Sequence, residues 1–405
     1  MAATEPLPFA TRAAITAGCI VAFVSFGFSA TFGVFLRPMS AELGWGREVF
    51  GLSLALQSLL WGVTQPVAGM VADRFGTARV LAFGAIVSAL EFWLRGAVID
   101  PQVFVASGII AGIGTGACSF PVVIIALGKI VPPERRSFIL GLGTAAASTG
   151  MFFAAPAATM LIGWLGWQVA ILAIAASFLL ILPPLVFIAP ASRPTATGAS
   201  AGFGAAVRGA FADRAFVLLF IGFFVCGFHV AFIQTHLPAD IADEGLAPII
   251  GAWSLALIGL FNIAGSFLSG WWGTRRSKKR LLAAIYFSRA AVIAVFILTP
   301  LSVGSVLIFS AIMGVLWLST VPLTTGLVAQ TQGLRYLSTL AGLIFFSHQT
   351  GSFIGAWLGG RMYDLSQDYT PMWWAAVALG LAAALIHLPI RETPGPLARQ
   401  ETAAG

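Results

Sequence analysis

Arg289 is the side chain whose place in the sequence most strongly suggests chemistry. It interrupts an apolar run nine residues beyond Arg280. If this run spans a membrane, about 1.5 Å per helical residue places Arg289 roughly 13 Å into a hydrocarbon layer of about 30 Å. A charge at that depth costs at least about 2.5 kcal/mol on insertion scales, so it is a functional candidate by default. Its guanidinium could bind a carboxylate through two hydrogen bonds. The alternative is a structural clip to backbone carbonyls or polar neighbours.

Two histidines and one glutamate could carry a proton. His229 and His348 stand in apolar runs, and imidazole is the side chain whose charge changes near neutral pH. Each histidine could equally be neutral and hydrogen-bonded to a neighbouring helix. Glu91 is followed four residues later by Arg95, on the same helical face, so a local ion pair accounts for it. Glu91 is the runner-up for the proton site.

Four amide side chains in apolar runs are candidates for binding a small molecule: Gln57, Asn262, Gln234 and Gln349. An unpaired amide is costly in lipid, so each should face a cavity or another helix. These amides could orient a hydroxyl or carboxylate of a ligand, or they could tie helices together.

No residue pattern indicates an enzyme, a cofactor or a metal site. The three cysteines, Cys19, Cys118 and Cys226, stand alone in apolar surroundings with no Cys-x-x-Cys pair, which argues against a disulfide or zinc framework. No nucleophile and base pair or phosphate-binding loop is evident. We therefore expect no catalytic residue, no metal and no cofactor.

The composition indicates which elements must position these residues. Hydrophobic residues make up 59% of the 405 residues and charged residues only 9%, against roughly 25% charged in a soluble domain. A soluble enzyme is excluded, and a nucleic-acid-binding protein would need a basic polar surface that is missing. A membrane-spanning helix needs about 20 apolar residues. The sequence contains twelve such runs, at approximately 13–36, 48–71, 79–98, 102–128, 138–162, 168–189, 215–237, 248–272, 281–300, 304–328, 337–360 and 372–390.

Basic residues between these runs predict their orientation. With a cytoplasmic N-terminus, the outside carries only Arg37, Arg47, Arg95 and Arg361. The inside then carries Arg74, Arg79, Lys129, Arg135, Arg136, Arg193, Arg208, Arg214, Arg275, Arg276, Lys278, Lys279, Arg280, Arg335, Arg391 and Arg399. By the positive-inside rule both termini are cytoplasmic. We predict a monomeric, multi-pass protein of the lipid bilayer, in the plasma membrane or bacterial inner membrane.

One constant shift relates the two halves of the chain. It is 201 positions, since 270 − 69 = 201, and it carries Gly69, Arg74, Arg79, Pro121, Gly141, Thr149 and Gly150 onto Gly270, Arg275, Arg280, Pro322, Gly342, Thr350 and Gly351. Repeats of this kind predict two six-helix halves with a transport site between them near mid-membrane. We predict an N-terminal six-helix bundle over 1–189, a cytoplasmic linker over 190–214, and a C-terminal bundle with a short tail over 215–405.

The segment GMVADRFGTAR, residues 69–79, joins the second and third predicted spans. It resembles the loop signature of the major facilitator superfamily, whose members are all-α transporters with twelve helices in two pseudo-symmetric bundles. The resemblance implies that Gly69, Asp73, Arg74 and Arg79 form a conformational lock for one state of an alternating-access cycle. The second copy has Thr274 in place of the acid, so we expect a one-sided lock. The alternative is that these charges only fix topology and end helices.

The fifth predicted span resembles a narrower branch of that family. The segment ERRS at 134–137, followed by a Gly/Ala/Ser-rich run, is similar to the monocarboxylate porters and oxalate/formate antiporters, and the Gly-Trp pairs at 44–45 and 166–167 fit the same branch. The Gly-Pro signature that resembles drug/proton antiporters is missing. The sequence departs from the branch in the eighth span, where Asn262 and Ser266 stand in place of the usual arginine.

These observations predict a secondary transporter that moves a small organic anion, a monocarboxylate, with a proton by rocker-switch alternating access. Arg289, Asn262, Gln349 and Gln57 are the predicted substrate ligands. The rival is an exporter of neutral or hydrophobic compounds, which the Phe-rich helices allow. A sensor or scaffold that keeps the fold without transporting is the second rival.

Overall fold

The computed structural model describes residues 7–119, 122–123, 127, 131, 133–188, 203–333, 336–395 and 398–399. Helices account for the regular secondary structure of these residues, as the composition predicts. The N-terminal half contains α1 (Phe9–Ala30), α2 (Leu36–Leu43), α3 (Arg47–Phe75), α4 (Thr77–Ala97), α5 (Pro101–Ala117), α6 (Pro133–Leu179) and α7 (Leu185–Ile188). A 3₁₀ turn, Phe32–Phe35, joins α1 to α2.

The C-terminal half repeats this order. It contains α8 (Phe203–Ala212), α9 (Arg214–Asp243), α10 (Pro248–Gly273), α11 (Lys278–Leu298), α12 (Val303–Leu316), α13 (Thr320–Gln332), α14 (Leu337–Ser366) and α15 (Thr370–His387). Helices α12 and α13 are two parts of one pass. The sequence predicts an unbroken span there, but the helical hydrogen-bond pattern is interrupted between Leu316 and Thr320.

The described helices make twelve passes. Eight helical segments are long and apolar enough to cross a membrane. Gly166 divides one of them, α6, into two passes, because its φ of 81° is a backbone conformation that glycine adopts without strain. Helices α3, α5 and α14 supply the remaining three. The predicted twelve-helix fold is confirmed.

Local signals fix several helix boundaries. The Asp100 carboxylate accepts hydrogen bonds from the backbone N–H groups of Gln102 and Val103, and Pro101 takes the first helical position of α5. Ser302 and Ser305 form a capping box at the start of α12. These caps satisfy N–H groups that the first helical turn leaves unpaired.

The duplication is visible in the helices and in their packing. Helix α11 is α4 shifted by 201 at both ends, since 278 − 77 = 201 and 298 − 97 = 201. A Cβ on Gly150 would lie 2.1 Å from the carbonyl oxygen of Phe23, and a Cβ on Gly351 would lie 1.9 Å from that of Phe224. Both glycines permit close backbone contact at equivalent positions, which confirms the pseudo-symmetric halves.

Two interfaces join the halves around a central cavity: α3 packs against α14, and α6 packs against α10. Each half also has its own apolar core. The predicted domain limits stay predictions, because much of the linker and the C-terminal end, 189–202 and 400–405, lies outside the described residues. Pro121, Lys129, Arg193 and Arg335 also lie outside them. Helix α8 covers the second part of the predicted linker.

Candidate functional site

The central cavity is lined by side chains from α1, α3, α9 and α14 and from the pass that contains α5. Eight of the lining residues carry hydroxyls or amides: Ser25, Ser29, Gln57, Ser58, Thr115, Ser119, Gln234 and Thr235. The others are glycine or apolar, with Phe26, Phe32 and Trp61 the largest. None of the described lining residues is charged. The wall therefore offers neutral hydrogen-bonding groups set among aromatic and aliphatic surfaces.

The cavity is closed on one side by direct backbone packing between the halves. A Cβ on Gly33 would lie 2.0 Å from the carbonyl oxygen of Gln234, and a Cβ on Gly51 would lie 2.4 Å from that of Ala356. No larger residue fits at either glycine without moving a helix. We call this side the sealed end; it comprises the connections at 44–46, 98–100, 244–247, 299–302 and 367–369.

A polar network strengthens the sealed end, and Asp364 is at its centre. The Asp364 carboxylate accepts hydrogen bonds of 2.8 Å from the backbone N–H groups of Arg47 and of Glu48, at the first turn of α3. A carboxylate at a helix N-terminus is favoured by the helix dipole. Here the capping acid comes from the other half of the molecule, so the contact also joins the two halves.

The Arg47 side chain continues this network. It pairs with Asp243 at 2.5 Å, donates to the Tyr369 hydroxyl at 2.9 Å and lies 3.5 Å from the centre of the Tyr363 ring. Burial raises the pKa of Tyr369, although Arg47 opposes the shift, so the hydroxyl keeps its proton. That hydroxyl lies 3.1 Å from Nδ1 of His236, whose Nε2 lies 2.8 Å from the Ala356 carbonyl. The pattern assigns the His236 proton to Nε2, with Nδ1 accepting from Tyr369.

Two further ion pairs cross the sealed end. Arg37 pairs with Asp243 at 3.1 Å, and Arg361 pairs with Glu48 at 2.9 Å. Trp357 also donates to Glu48, at 3.0 Å. Three of the four arginines that the sequence places outside, Arg37, Arg47 and Arg361, thus bind the opposite half, and the two halves are closed against each other at this end.

The predicted lock lies at the opposite end of the bundle. Arg74 and Arg79 are exposed, and a Cβ on Gly69 would meet nothing within 4 Å. The side chain of Asp73 lies outside the described residues. With the sealed end closed, the described side chains of this motif make no hydrogen bond or ion pair with the other half, and the role of the motif as a lock stays a prediction.

Arg95 lies directly behind the cavity wall. It is 2% exposed and pairs with Glu91 at 3.0 Å, as the spacing predicts. Its guanidinium also donates to the hydroxyls of Ser53 and Ser107 and, at 3.4 Å, to the amide oxygen of Gln57. Because Gln57 lines the cavity, one side chain separates the charge of Arg95 from any bound molecule. The sequence placed this pair at the outer boundary, since Arg95 falls near a predicted span end.

Arg289 is fully buried but lies away from the cavity. Its guanidinium donates to the carbonyl of Leu316, at 2.7 and 3.2 Å, and to the carbonyl of Trp317. A third nitrogen lies 3.4 Å from the sulfur of Cys226. The two carbonyls belong to the interruption between α12 and α13, where helical hydrogen bonds are lost. This placement corrects the expectation of a substrate ligand in the cavity wall and matches the structural clip that the sequence left open.

Asn262 serves the same interruption and does not line the cavity. Its side-chain oxygen accepts the backbone N–H of Leu318 at 3.0 Å, and its nitrogen donates to the Ser148 hydroxyl of the other half at 3.2 Å. Gln349 likewise joins the halves, donating to the Ser58 carbonyl at 3.1 Å. Of the four predicted substrate ligands, Gln57 alone lines the cavity. The other amides satisfy backbone groups and tie helices together.

The two histidines that are predicted to carry a proton, His229 and His348, lie outside the cavity wall. Nε2 of His229 lies 2.8 Å from the Ala376 carbonyl, on the side of α9 that faces α15. His348 stacks on Phe345, and its Nδ1 lies 2.9 Å from the amide oxygen of Gln349. Two predicted proton carriers reach a cavity-lining residue through one intervening side chain: Glu91 through Arg95 to Gln57, and His348 through Gln349 to Ser58.

Comparison with known proteins identifies the family to which this fold is similar. The family model described as Major Facilitator Superfamily matches residues 18–356. An uncharacterized MFS-type transporter, YcxA of Bacillus subtilis (strain 168), is 23% identical over 84% of this chain and 86% of its own length. Monocarboxylate transporter 13 of Bos taurus is 24% identical over 90% of this chain and 86% of its own. Multidrug resistance protein MdtH of Proteus mirabilis (strain HI4320) is 24% identical, over 85% of each.

Solved structures share the fold at lower identity. A mutant of the nucleoside transporter NupG superposes with a TM-score of 0.76 at 12% identity, over 93% of this chain and 99% of that one. A D-xylose-proton symporter superposes with a TM-score of 0.72 at 15% identity, over 95% and 97%. At these identities the likeness establishes the fold alone.

Proposed function

Because the chain belongs to the major facilitator superfamily, we propose that it is a proton-coupled transporter of a small organic anion, a monocarboxylate. One observation carries this proposal: the buried Glu91–Arg95 pair, which contacts the cavity-lining Gln57. It replaces Arg289 as the source of positive charge for the cargo. The pair lies behind a cavity wall in which none of the described lining residues is charged, so the positive charge acts on the cargo through Gln57.

The coupling follows from charge balance. With Glu91 ionised, the pair is neutral and offers little to an anion. A proton on Glu91 leaves the Arg95 charge uncompensated, and an uncompensated charge in an apolar interior is costly. A cargo carboxylate beside Gln57 would restore neutrality through the Gln57 amide. Proton and monocarboxylate then bind together, and their joint movement transfers no net charge.

The sealed end supplies one half of an alternating-access cycle. By the positive-inside prediction, this end faces outside and both termini are cytoplasmic, so the cavity would open toward the cytoplasm in the described conformation. Breaking the Asp364 and Arg47 contacts would let the halves rock apart outside. The segment with Gly69, Asp73, Arg74 and Arg79 would then hold the cytoplasmic side closed.

A second candidate function is export of neutral compounds. It is supported by the absence of charge among the described lining residues and by similarity to a protein named for multidrug resistance. The two candidates differ in what drives binding, because a neutral cargo needs no proton on Glu91.

Uptake into proteoliposomes separates the candidates. We expect labelled monocarboxylates to accumulate at least tenfold faster with an inward proton gradient than without one. Glu91→Gln should abolish this stimulation, since the amide mimics the protonated acid and cannot release a proton. Glu392→Gln, at a helix-free segment near the C-terminus, is the matched control and should keep it.

Gradient-independent uptake, or a Glu91→Gln variant as proton-dependent as the parent, would contradict the proposal. Failure of every acid, together with efflux of neutral dyes, would favour the exporter.

A further inference from the structure

We infer that the cargo is a hydroxylated acid, whose hydroxyl groups bind the neutral polar side chains of the cavity. The inference rests on the proposed function for the carboxylate and goes beyond it for the rest of the molecule. The cavity would thus prefer an acid with a hydroxylated carbon chain, such as a sugar acid, to an acid with an alkyl chain.

Ser25 carries the first part of this inference. Ser25 is 5% exposed and lines the cavity, yet its hydroxyl oxygen is buried without a hydrogen-bond partner among the described residues. Serines inside helices commonly donate to a carbonyl three or four residues earlier, as Ser40 does here to the Leu36 carbonyl at 2.7 Å. An unpaired buried hydroxyl costs about 1–3 kcal/mol. A ligand hydroxyl in the cavity would remove that cost.

The wall opposite Ser25 offers complementary groups from the other half. Gln234 and Thr235 of α9 line the cavity, and the side chains make no hydrogen bond to another described residue. Ser29, one helical turn from Ser25, also lines the cavity, and its side chain makes no hydrogen bond to another described residue. Both halves therefore present free donors and acceptors to one space, and a ligand that bridges them would be held by several hydrogen bonds.

The chemistry of these groups favours hydroxyls on the ligand. A hydroxyl donates one hydrogen bond and accepts two, and serine, threonine and glutamine side chains can do both. An alkyl chain would bury the same side chains unpaired, and sites built to bind a hydroxyl reject analogues that lack it. Phe26 and Trp61 offer flat surfaces for the C–H faces of such a chain.

Binding to the purified full-length protein tests the inference with ligands matched in carbon number. At six carbons the ligands are gluconate, hexanoate and sorbitol, and at three carbons they are glycerate, propionate and glycerol. Tryptophan fluorescence or calorimetry at pH 5.5 gives each Kd. We expect the hydroxylated acid of at least one set to bind at least tenfold more tightly than its unsubstituted counterpart.

Ser25→Ala should weaken binding of the hydroxylated acid severalfold and leave the alkyl acid unchanged. It should not lower Tm, because it removes an unpaired hydroxyl. Ser177→Ala is the control, since Ser177 donates to the Ile174 carbonyl away from the cavity.

The outcomes distinguish this inference from the proposed function. Alkyl acids that bind as tightly as hydroxylated acids in both sets would overturn the inference and leave proton-coupled anion transport standing. Sorbitol or glycerol binding as tightly as the matching acid would support hydroxyl recognition and contradict the anionic cargo. A Ser25→Ala variant that binds every ligand as the parent does would overturn the assigned subsite.

Discussion

Two arginines in this molecule are equally buried and differently used. Arg95, in the N-terminal half, is 2% exposed and Arg289, in the C-terminal half, is 0% exposed. Arg95 has a carboxylate partner and contacts an amide of the cavity wall. Arg289 has no carboxylate among its described partners and donates to backbone carbonyls of an interrupted helix.

The difference shows that the partner, more than the depth, decides what a buried charge can do. A carboxylate can take up a proton, so the net charge of the Arg95 site can change during a cycle. Backbone carbonyls cannot, and they need the same donors in every state. Arg289 is therefore suited to hold a structure together, and Arg95 is suited to respond to a ligand.

The largest expected effect is on folding, from Arg289→Gln. The shorter, neutral side chain cannot reach both carbonyls, and each buried carbonyl left unpaired costs about 1–3 kcal/mol. We expect most of the protein to be lost on detergent extraction, measured by size-exclusion chromatography of a fluorescent fusion. Arg289→Lys keeps the charge but not the planar fork, and should rescue only partly. A well-folded Arg289→Gln variant would show that Arg289 is not required to hold the structure together, and would contradict the structural role assigned to it.

A smaller effect on folding and a complete effect on transport are expected from the Glu91→Gln, Arg95→Gln double variant. Arg95→Gln alone leaves a buried carboxylate without its partner, which typically costs 3–5 kcal/mol. Removing both charges is often close to neutral, so the double variant should melt within a few degrees of the parent. Its proton-driven uptake should be absent. Retained uptake would show that the pair is only structural.

The smallest effect is expected at an exposed arginine. The side chain of Arg361 is 50% exposed in its pair with Glu48, and exposed ion pairs contribute less than about 1 kcal/mol. Arg361→Gln should therefore change Tm by no more than a few degrees and leave proton-driven uptake intact. A loss as large as that of Arg289→Gln would mean that pairing, and not burial, sets the cost of losing an arginine.

Much of the fold was predictable because its signals are local. Apolar runs of about 20 residues mark the passes, and the shift of 201 residues relates α4 to α11 at both ends. The interruption at Trp317, Leu318 and Ser319 escaped prediction, since no glycine or proline stands within it. Arg289 and Asn262, which are distant in sequence, pair with its backbone groups. Pro322, which follows it, has no N–H to donate to the Leu318 carbonyl.

The site was harder to predict because depth along a helix does not give direction around it. Helix α11, which carries Arg289, is apolar on nearly every side, so its sequence does not show which face meets the cavity. The predicted depth of Arg289 in the membrane therefore did not indicate whether its side chain faces the cavity. Gln57 and Gln234 are amides that the sequence offers as candidates, and both line the cavity, whereas Ser25 gives no distinctive signal in a sequence so rich in small residues.

The interrupted pass also bears on how the chain is built into a bilayer. The carbonyls of Leu316 and Trp317 and the N–H group of Leu318 are bonded by side chains of other helices. Without those partners, unpaired backbone groups in the lipid interior would be energetically costly. Asn262 and Arg289 precede them in the chain, so during synthesis from the N-terminus both side chains leave the ribosome before the interruption does. The order of the helices along the chain therefore places the Arg289 donors and the Asn262 acceptor in the growing protein before the backbone groups that they pair with. If a rearranged gene encoded α12 and α13 ahead of α10 and α11, the interrupted pass would enter the bilayer before Asn262 and Arg289 had been synthesised.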